Sequence, residues 1–306
     1  MKGVDKGFAL GGLGVLIFAM TLPMTRLAVG DASAPQLSPG FVTAGRAALA
    51  GLLSLAYLVA VRAAWPQRHH WPALGLSALG TVLGFPLCLA LALREVDATH
   101  AAVVTGLMPL ATALIAALVL RQRPAPGFWL CALAGSSLVI AFAAIQGGGA
   151  LSTGDAWLLG AVLFTGVGYV AGARVAAEMP ASQVICWVLV LSLPLTAPVA
   201  VWTWPAAPVQ ASAWLGFGYV SLFSMWLGFF AWYRGLTLGG VVRVSQVQLL
   251  QPFLAMMFAV PVLGERIDAL TLLFALAVGA VVFIGRRMPV QAAVPPPAAV
   301  AKEPLT

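Results

Sequence analysis

Charged residues and cysteine are both scarce in this sequence. Asp, Glu, Lys and Arg make up 8% of the 306 residues, against about a quarter in an average soluble domain. Apolar residues make up 61% and the mean hydropathy is +1.00, so a lipid bilayer is the expected surrounding. Cys88, Cys131 and Cys186 lie in apolar stretches without metal-ligand spacing. That pattern argues against a disulfide framework and against a zinc site.

Acidic residues are fewer than basic ones, with nine Asp and Glu against 16 Lys and Arg. In a soluble chain this excess would suggest nucleic acid as a partner. Here the basic residues fall between apolar runs, so membrane topology explains them and no nucleic-acid partner is expected. The first apolar run, 8–25, is longer than the roughly 7 to 15 residues of a signal-peptide core, so an uncleaved first helix is expected.

Long uncharged runs recur along the whole chain. About 20 apolar residues cross the hydrocarbon core as a helix, and the backbone of each segment must be hydrogen-bonded within the protein. The sequence therefore predicts an all-α integral membrane protein with ten transmembrane helices. The predicted helices lie near 8–25, 40–61, 72–93, 99–120, 127–145, 156–173, 184–203, 213–233, 244–263 and 269–285.

The basic residues are unevenly distributed over the predicted loops. Most of the 16 fall on one side of the membrane, whereas Arg26, Arg94 and Arg266 fall on the other. Because cytoplasmic loops carry the excess, we expect a multi-pass protein of the inner (plasma) membrane with both termini in the cytoplasm. Residues 287–306 are rich in Ala and Pro and are expected to form a disordered cytoplasmic tail.

Short motifs recur at a nearly constant distance. Leu83-Gly84-Phe85 returns as Leu227-Gly228-Phe229 after 144 residues, and Met108-Pro109-Leu110 corresponds to Gln251-Pro252-Phe253 after 143. This regularity predicts two repeats of five helices. An odd number of helices per repeat makes the second copy inverted, which is an architecture of secondary transporters. The predicted repeats span 8–145 and 156–286.

Several motifs together resemble a known family. Thr43-Ala44-Gly45-Arg46-Ala47, Gly-Leu-Met-Pro at 106–109, Leu-Gln-Pro at 250–252 and Leu-Gly-Glu-Arg at 263–266 are similar in order and spacing to the EamA family of the drug/metabolite transporter superfamily. The resemblance covers residues 8 to 286, with a departure at Gln122, where the family usually has Glu. It implies a transporter of amino acids, amines, sugars or drugs, with export as the expected direction.

Arg46 lies well inside a predicted helix. A guanidinium at such depth costs about 3 kcal/mol on insertion scales, and the sequence places no Asp or Glu deep enough to pair with it. Two roles stay open for this side chain. It binds a carboxylate of the substrate, or it caps carbonyl groups at the end of a neighbouring helix.

Further polar and aromatic residues are candidates for a substrate cavity. The repeat pairs Thr105 with Gln248, and Thr21 with Tyr169 at an offset of 148. Polar groups in hydrocarbon need a hydrogen-bond partner, which is either a neighbouring helix or a ligand. The substrate-binding candidates are Thr21, Arg46, Thr105, Tyr169, Trp226, Ser245, Gln248 and Gln251. Kinks lining the cavity are predicted inside the helices that contain Pro86, Pro109 and Pro252.

Catalytic spacing of His, Asp, Glu or Ser is missing, with Glu95, Asp97 and His100 as the nearest approximation. An enzyme is therefore not expected, nor is a cofactor or a metal, and His69-His70 is expected to be a solvated turn. The favoured function is alternating-access transport of a small-molecule substrate. A channel and a lipid-modifying transferase stay open as alternatives, as do monomer against homodimer and proton coupling against facilitated diffusion.

Overall fold

The computed structural model describes residues 2–119, 123–146, 151–176, 178–239, 247, 250–287 and 290–291. Eight helices in these ranges are long and apolar enough to cross a membrane, and two shorter apolar helices, Gln251–Leu263 and Ala269–Gly285, follow them. The prediction of an all-helical, multi-pass membrane protein is confirmed. The finer prediction of ten spans in two inverted repeats stays a prediction.

The helical segments are numbered along the chain, and some consist of consecutive pieces. They are α1 (Lys2–Ala19 and Thr21–Val29), α2 (Pro39–Ala60), α3 (Trp71–Ser77, Ala78–Gly84 and Phe85–Ala92), α4 (Ala98–Thr105 and Met108–Val119), α5 (Pro126–Gln146), α6 (Thr153–Ala176), α7 (Ala181–Trp202), α8 (Ala211–Tyr219, Val220–Leu227 and Gly228–Gly239), α9 (Gln251–Leu263) and α10 (Ala269–Arg286). A single turn, Arg68–His70, precedes α3. Arg123–Pro124 and Val290–Gln291 form a two-residue antiparallel ladder.

Contacts between the helices come in matching pairs. In the described residues α1 packs on α8 and α3 on α6, while α1 also packs on α9 and α4 on α6. Helix α2 also packs on α7, and α5 packs on α10. If each helix is exchanged with the helix five positions away (α1 with α6, α2 with α7 and so on), every one of these contacts becomes itself or another contact of the group. Large apolar side chains such as Leu52 and Leu163 are more than half exposed on the outside, as expected for a surface in contact with lipid.

Both α3 and α8 contain a π-helical stretch in the middle. The stretches are Ala78–Gly84 and Val220–Leu227, which begin 142 residues apart. A π-helix turns more widely than an α-helix and is frequently found at functional sites. Each stretch is followed by a phenylalanine, Phe85 or Phe229, that belongs to the site described below.

Pro86, Pro109 and Pro252 are each the second residue of a helical piece: Phe85–Ala92, Met108–Val119 and Gln251–Leu263. Phe85–Ala92 continues directly from the π-helical stretch Ala78–Gly84, so Pro86 lies inside α3. Kinks lining the cavity at these three prolines stay a prediction. Further prolines lie inside α7, at Pro194 and Pro198, and inside α9, at Pro261.

Two glycines let α3 and α6 approach closely. A Cβ atom on Gly80 would lie 2.5 Å from the Cα and N of Gly168 and 2.5 Å from the carbonyl oxygen of Phe164. Since these are backbone atoms, a side chain at this position would push the helices apart. Small residues at such a contact are typical of helix packing in membranes.

Replacing Gly80 with alanine is therefore expected to destabilise the protein by roughly 2 kcal/mol, because overpacking a tight contact forces the backbone to move. The matched control is Gly75→Ala in the same helix, where an added Cβ meets nothing within 4 Å. That control is expected to be neutral or slightly stabilising, because alanine is the better helix former. Equilibrium unfolding in mixed micelles compares the two variants, and equal stabilities would contradict the proposed close contact.

Candidate functional site

A cavity lies between helices from both halves of the chain. Its walls come from α1, α2, α3, α4, α6, α8 and α9. The lining residues are Phe18, Thr21, Leu22, Arg46, Thr81, Phe85, Met108, Thr165, Tyr169, Ser224, Met225, Phe229 and Gln251. Aromatic and apolar side chains form most of the wall, and a few polar groups converge among them. Such a mixture is typical of a small-molecule site.

Arg46 is the charged residue of this lining and is only 2% exposed. Its Nη2 donates a hydrogen bond to the Oγ of Ser224 at 3.1 Å. That same Oγ lies 2.8 Å from the Oγ1 of Thr21. Three helices, α1, α2 and α8, thus meet in one polar chain, and the π-helical stretch of α8 supplies its central hydroxyl.

The guanidinium of Arg46 is incompletely satisfied. Its Nε and Nη1 are buried and have no hydrogen-bond partner among the described residues. Among the described residues its hydrogen bond goes to a hydroxyl, and capping of helix-end carbonyls stays an alternative prediction. A buried charge normally requires a partner of opposite sign or several hydrogen bonds.

The structure brings together four of the eight predicted substrate-binding residues. Thr21, Arg46, Tyr169 and Gln251 line the cavity.

Of the other four candidates, Thr105 and Trp226 do not join them. Thr105 is buried, but its hydroxyl donates to the carbonyl oxygen of Ala101 at 2.7 Å and is not part of the lining. Trp226 packs edge-on against Phe230, with ring centroids 5.3 Å apart. Ser245 and Gln248 lie outside the described residues.

Two lining residues, Ser224 and Thr165, are not among the residues predicted from the sequence. For Thr165 the repeat spacing would have indicated the position. Thr165 follows Thr21 by 144 residues, the same distance that separates Phe85 from Phe229 in the recurring Leu-Gly-Phe motif. An offset of 148 residues from Thr21 leads to Tyr169 and not to Thr165. For Ser224 the deciding feature is the π-helical stretch, which a sequence pattern does not reveal.

A second polar cluster joins the loop before α3 to the loop after α6. Nε2 of His69 and Nε2 of His70 lie 2.8 Å and 2.9 Å from Oε2 of Glu178. Hydrogen bonds from His69 and then His70 hold the pKa of the Glu178 carboxyl below its usual range. These three ligand atoms lie within 4.8 Å of one another and could hold a metal ion. His70 is buried, so the expectation of a solvated turn is wrong for this residue.

His100 and Asp155 form a buried pair between α4 and α6. Nε2 of His100 lies 2.6 Å from Oδ1 of Asp155, and the two side chains are 11% and 4% exposed. The other oxygen, Oδ2, accepts hydrogen bonds from the backbone nitrogen and hydroxyl of Ser152. The predicted span 156–173 placed Asp155 outside the membrane segment, whereas α6 begins at Thr153. Asp155 thus lies in the first turn of α6.

Comparisons with known proteins agree with this architecture. The model of the EamA-like transporter family matches residues 5–144 and 152–286. The uncharacterized transporter YdeK of Bacillus subtilis (strain 168) is 45% identical over 271 residues, which cover 87% of this chain and 92% of YdeK. A solved structure described only as "Crystal structure of protein" shares the fold, with a TM-score of 0.61, 19% identity and coverage of 92% of this chain and 96% of that one. Because the family model matches nearly the whole chain and YdeK is 45% identical over 271 residues, this membrane protein belongs to the EamA-like transporter family.

Proposed function

We propose that the chain is a secondary transporter that carries a small organic solute by alternating access around the cavity of Arg46. The observation that carries the proposal is the origin of the lining, which both halves of the chain supply at corresponding positions. Thr21 and Thr165 are 144 residues apart, as are Phe85 and Phe229.

The matching helix contacts support two inverted repeats, 8–145 and 156–286, as the mechanical units. In such an arrangement the halves rock against each other around a site near the middle of the membrane. The family model supports the same division, since it matches the two parts of the chain separately. One chain supplies the complete lining described above, so the mechanism does not require a homodimer.

The topology that we propose follows from the basic residues. Both termini lie in the cytoplasm, and residues 287–306 form a cytoplasmic tail of an inner-membrane protein. Export is the direction favoured by the resemblance to drug/metabolite transporters. Fusions of a cytoplasmic and a periplasmic reporter to the two ends test the topology, and ends on opposite sides of the membrane would overturn it.

Counterflow in proteoliposomes tests the transport function. Vesicles containing the purified protein are loaded with an unlabelled organic acid, amino acid, amine or sugar, and uptake of the same labelled solute is followed. For at least one solute we expect saturable uptake that the internal solute accelerates, because an alternating-access carrier exchanges solutes faster than it returns empty. Flux that never saturates would indicate a channel, and absence of uptake for the whole panel would overturn the proposal.

A further inference from the structure

Among the described residues, the buried cation Arg46 has a single, neutral hydrogen-bond acceptor. Its side chain is 2% exposed, its Nη2 donates to Ser224, and its Nε and Nη1 have no partner among the described residues. Burial of a charge is unfavourable unless a counter-charge or several hydrogen bonds compensate it. The polar groups around Arg46 supply only part of that compensation.

The described part of the chain offers Arg46 no counter-charge. It has nine Asp and Glu residues, of which eight belong to the described part: Asp5, Asp31, Glu95, Asp97, Asp155, Glu178, Glu265 and Asp268. None of these eight lies within salt-bridge distance of Arg46, and none is among the cavity-lining residues. The ninth, Glu303, belongs to the C-terminal tail outside the described residues.

The best-placed acids are already engaged at other sites. Asp155 is paired with His100 at the start of α6. The carboxylate of Glu265 accepts hydrogen bonds from the backbone nitrogens of Ala98 and Thr99, both at 2.8 Å, at the start of α4. Asp268 accepts a hydrogen bond from a backbone nitrogen at the start of α10. Redirecting any of them to Arg46 would leave a helix end or a histidine without its partner.

We propose that the transported solute supplies the missing anion, and that the cavity is selective for organic carboxylates with an apolar body. This inference rests on the proposed transport function and names the class of substrate. The free N–H groups of Arg46 donate to the carboxylate, for which a guanidinium is well suited. The apolar body packs between Phe85, Phe229 and Met225, which line the same cavity.

The same cavity disfavours amines. A protonated amine would meet the charge of Arg46 in surroundings of low dielectric constant, where like charges repel strongly. The described lining offers an ammonium group hydroxyls and the amide of Gln251, but no carboxylate. Discrimination therefore comes from a repulsive contact as well as from an attractive one.

The test uses three ligands with one body and different head groups: 3-phenylpropionate, 3-phenylpropanamide and 3-phenylpropylamine. Thermal unfolding of the purified protein in detergent is measured over a concentration series of each, because a ligand of the native state raises the apparent stability by mass action. We expect stabilisation by the acid and none by the amide or the amine.

Variants of Arg46 assign the effect to its guanidinium. In Arg46→Gln we expect binding of the acid to weaken at least roughly 100-fold, the equivalent of about 3 kcal/mol. Arg46→Lys keeps the charge and is expected to bind the acid more tightly than Arg46→Gln. The matched control is Arg94→Gln, because Arg94 is a partly buried arginine that donates to the carbonyl oxygen of Leu37 outside the cavity. That control should bind like the wild type.

Three results would overturn the inference: binding of the acid to Arg46→Gln as tightly as to the wild type, preference for the amine, or no stabilisation by the acid. Counterflow separates this failure from failure of the transport function. Saturable exchange of an amine or a sugar without exchange of acids would leave a transporter with a different substrate class. Binding of the acid through Arg46 without exchange of any solute would leave an anion site and remove the transport proposal.

Discussion

Replacing His100 with leucine is expected to lower the free energy of unfolding by about 3 to 5 kcal/mol. The substitution leaves the carboxylate of Asp155 buried, with Ser152 as its remaining hydrogen-bond partner. Removing one member of a buried pair costs this much because the carboxylate left behind keeps only its bonds from Ser152 and loses its partner on Oδ1. Packing is largely preserved, since the ring of His100 lies 4.9 Å from the ring of Phe142 in apolar surroundings that a leucine also suits.

Equilibrium unfolding in mixed micelles measures this effect, and the chain offers a matched control. His69 also pairs with a carboxylate, Glu178, but both side chains are 56% exposed. His69→Leu is therefore expected to change stability by less than about 1 kcal/mol. In the double variant His100→Leu, Asp155→Leu, part of the loss should return, because no buried charge remains. Equal losses for His100→Leu and His69→Leu would contradict the buried pair.

The spans follow from elementary membrane physics, and most of them could be predicted. Twenty apolar residues without a charge have few alternatives to a helix in lipid. The inner breaks of the helices could not be predicted in the same way. The motif at Leu83-Gly84-Phe85 was recognised as a repeated signature, but its π-helical geometry depends on packing against the helices beside it.

Whether a site residue could be predicted from the sequence depends on how unusual that residue type is in a membrane helix. Arg46 was found because a charge inside an apolar run needs a physical explanation. Ser224 was missed because a serine in a membrane helix usually satisfies itself by donating to its own backbone, as Thr105 does here. A sequence thus identifies a buried charge such as Arg46 more readily than the neutral residue, here Ser224, that forms a hydrogen bond with it.

Filling the cavity is expected to abolish transport without unfolding the protein. In Thr165→Trp the indole has to occupy the space in which the solute binds, because Thr165 is 2% exposed and its side chain lines the cavity. Losing about 3 kcal/mol of solute contacts corresponds to a roughly 100-fold loss of affinity. The initial rate of counterflow, measured for the solute that the proteoliposome panel identifies, should fall by at least that factor.

The same helix supplies the control for this substitution. Leu163 of α6 is 57% exposed on the outer surface, so Leu163→Trp adds the same indole on the lipid side and should transport like the wild type. Met108→Trp fills the cavity from α4, and it provides an independent second variant in case the tight packing of α6 does not accept the first. Thermal unfolding verifies that each variant is folded. If folded Thr165→Trp and Met108→Trp both exchange solute at the wild-type rate, the solute does not pass through this cavity, and the pseudo-symmetric lining would be a packing defect between two halves and not their shared binding site.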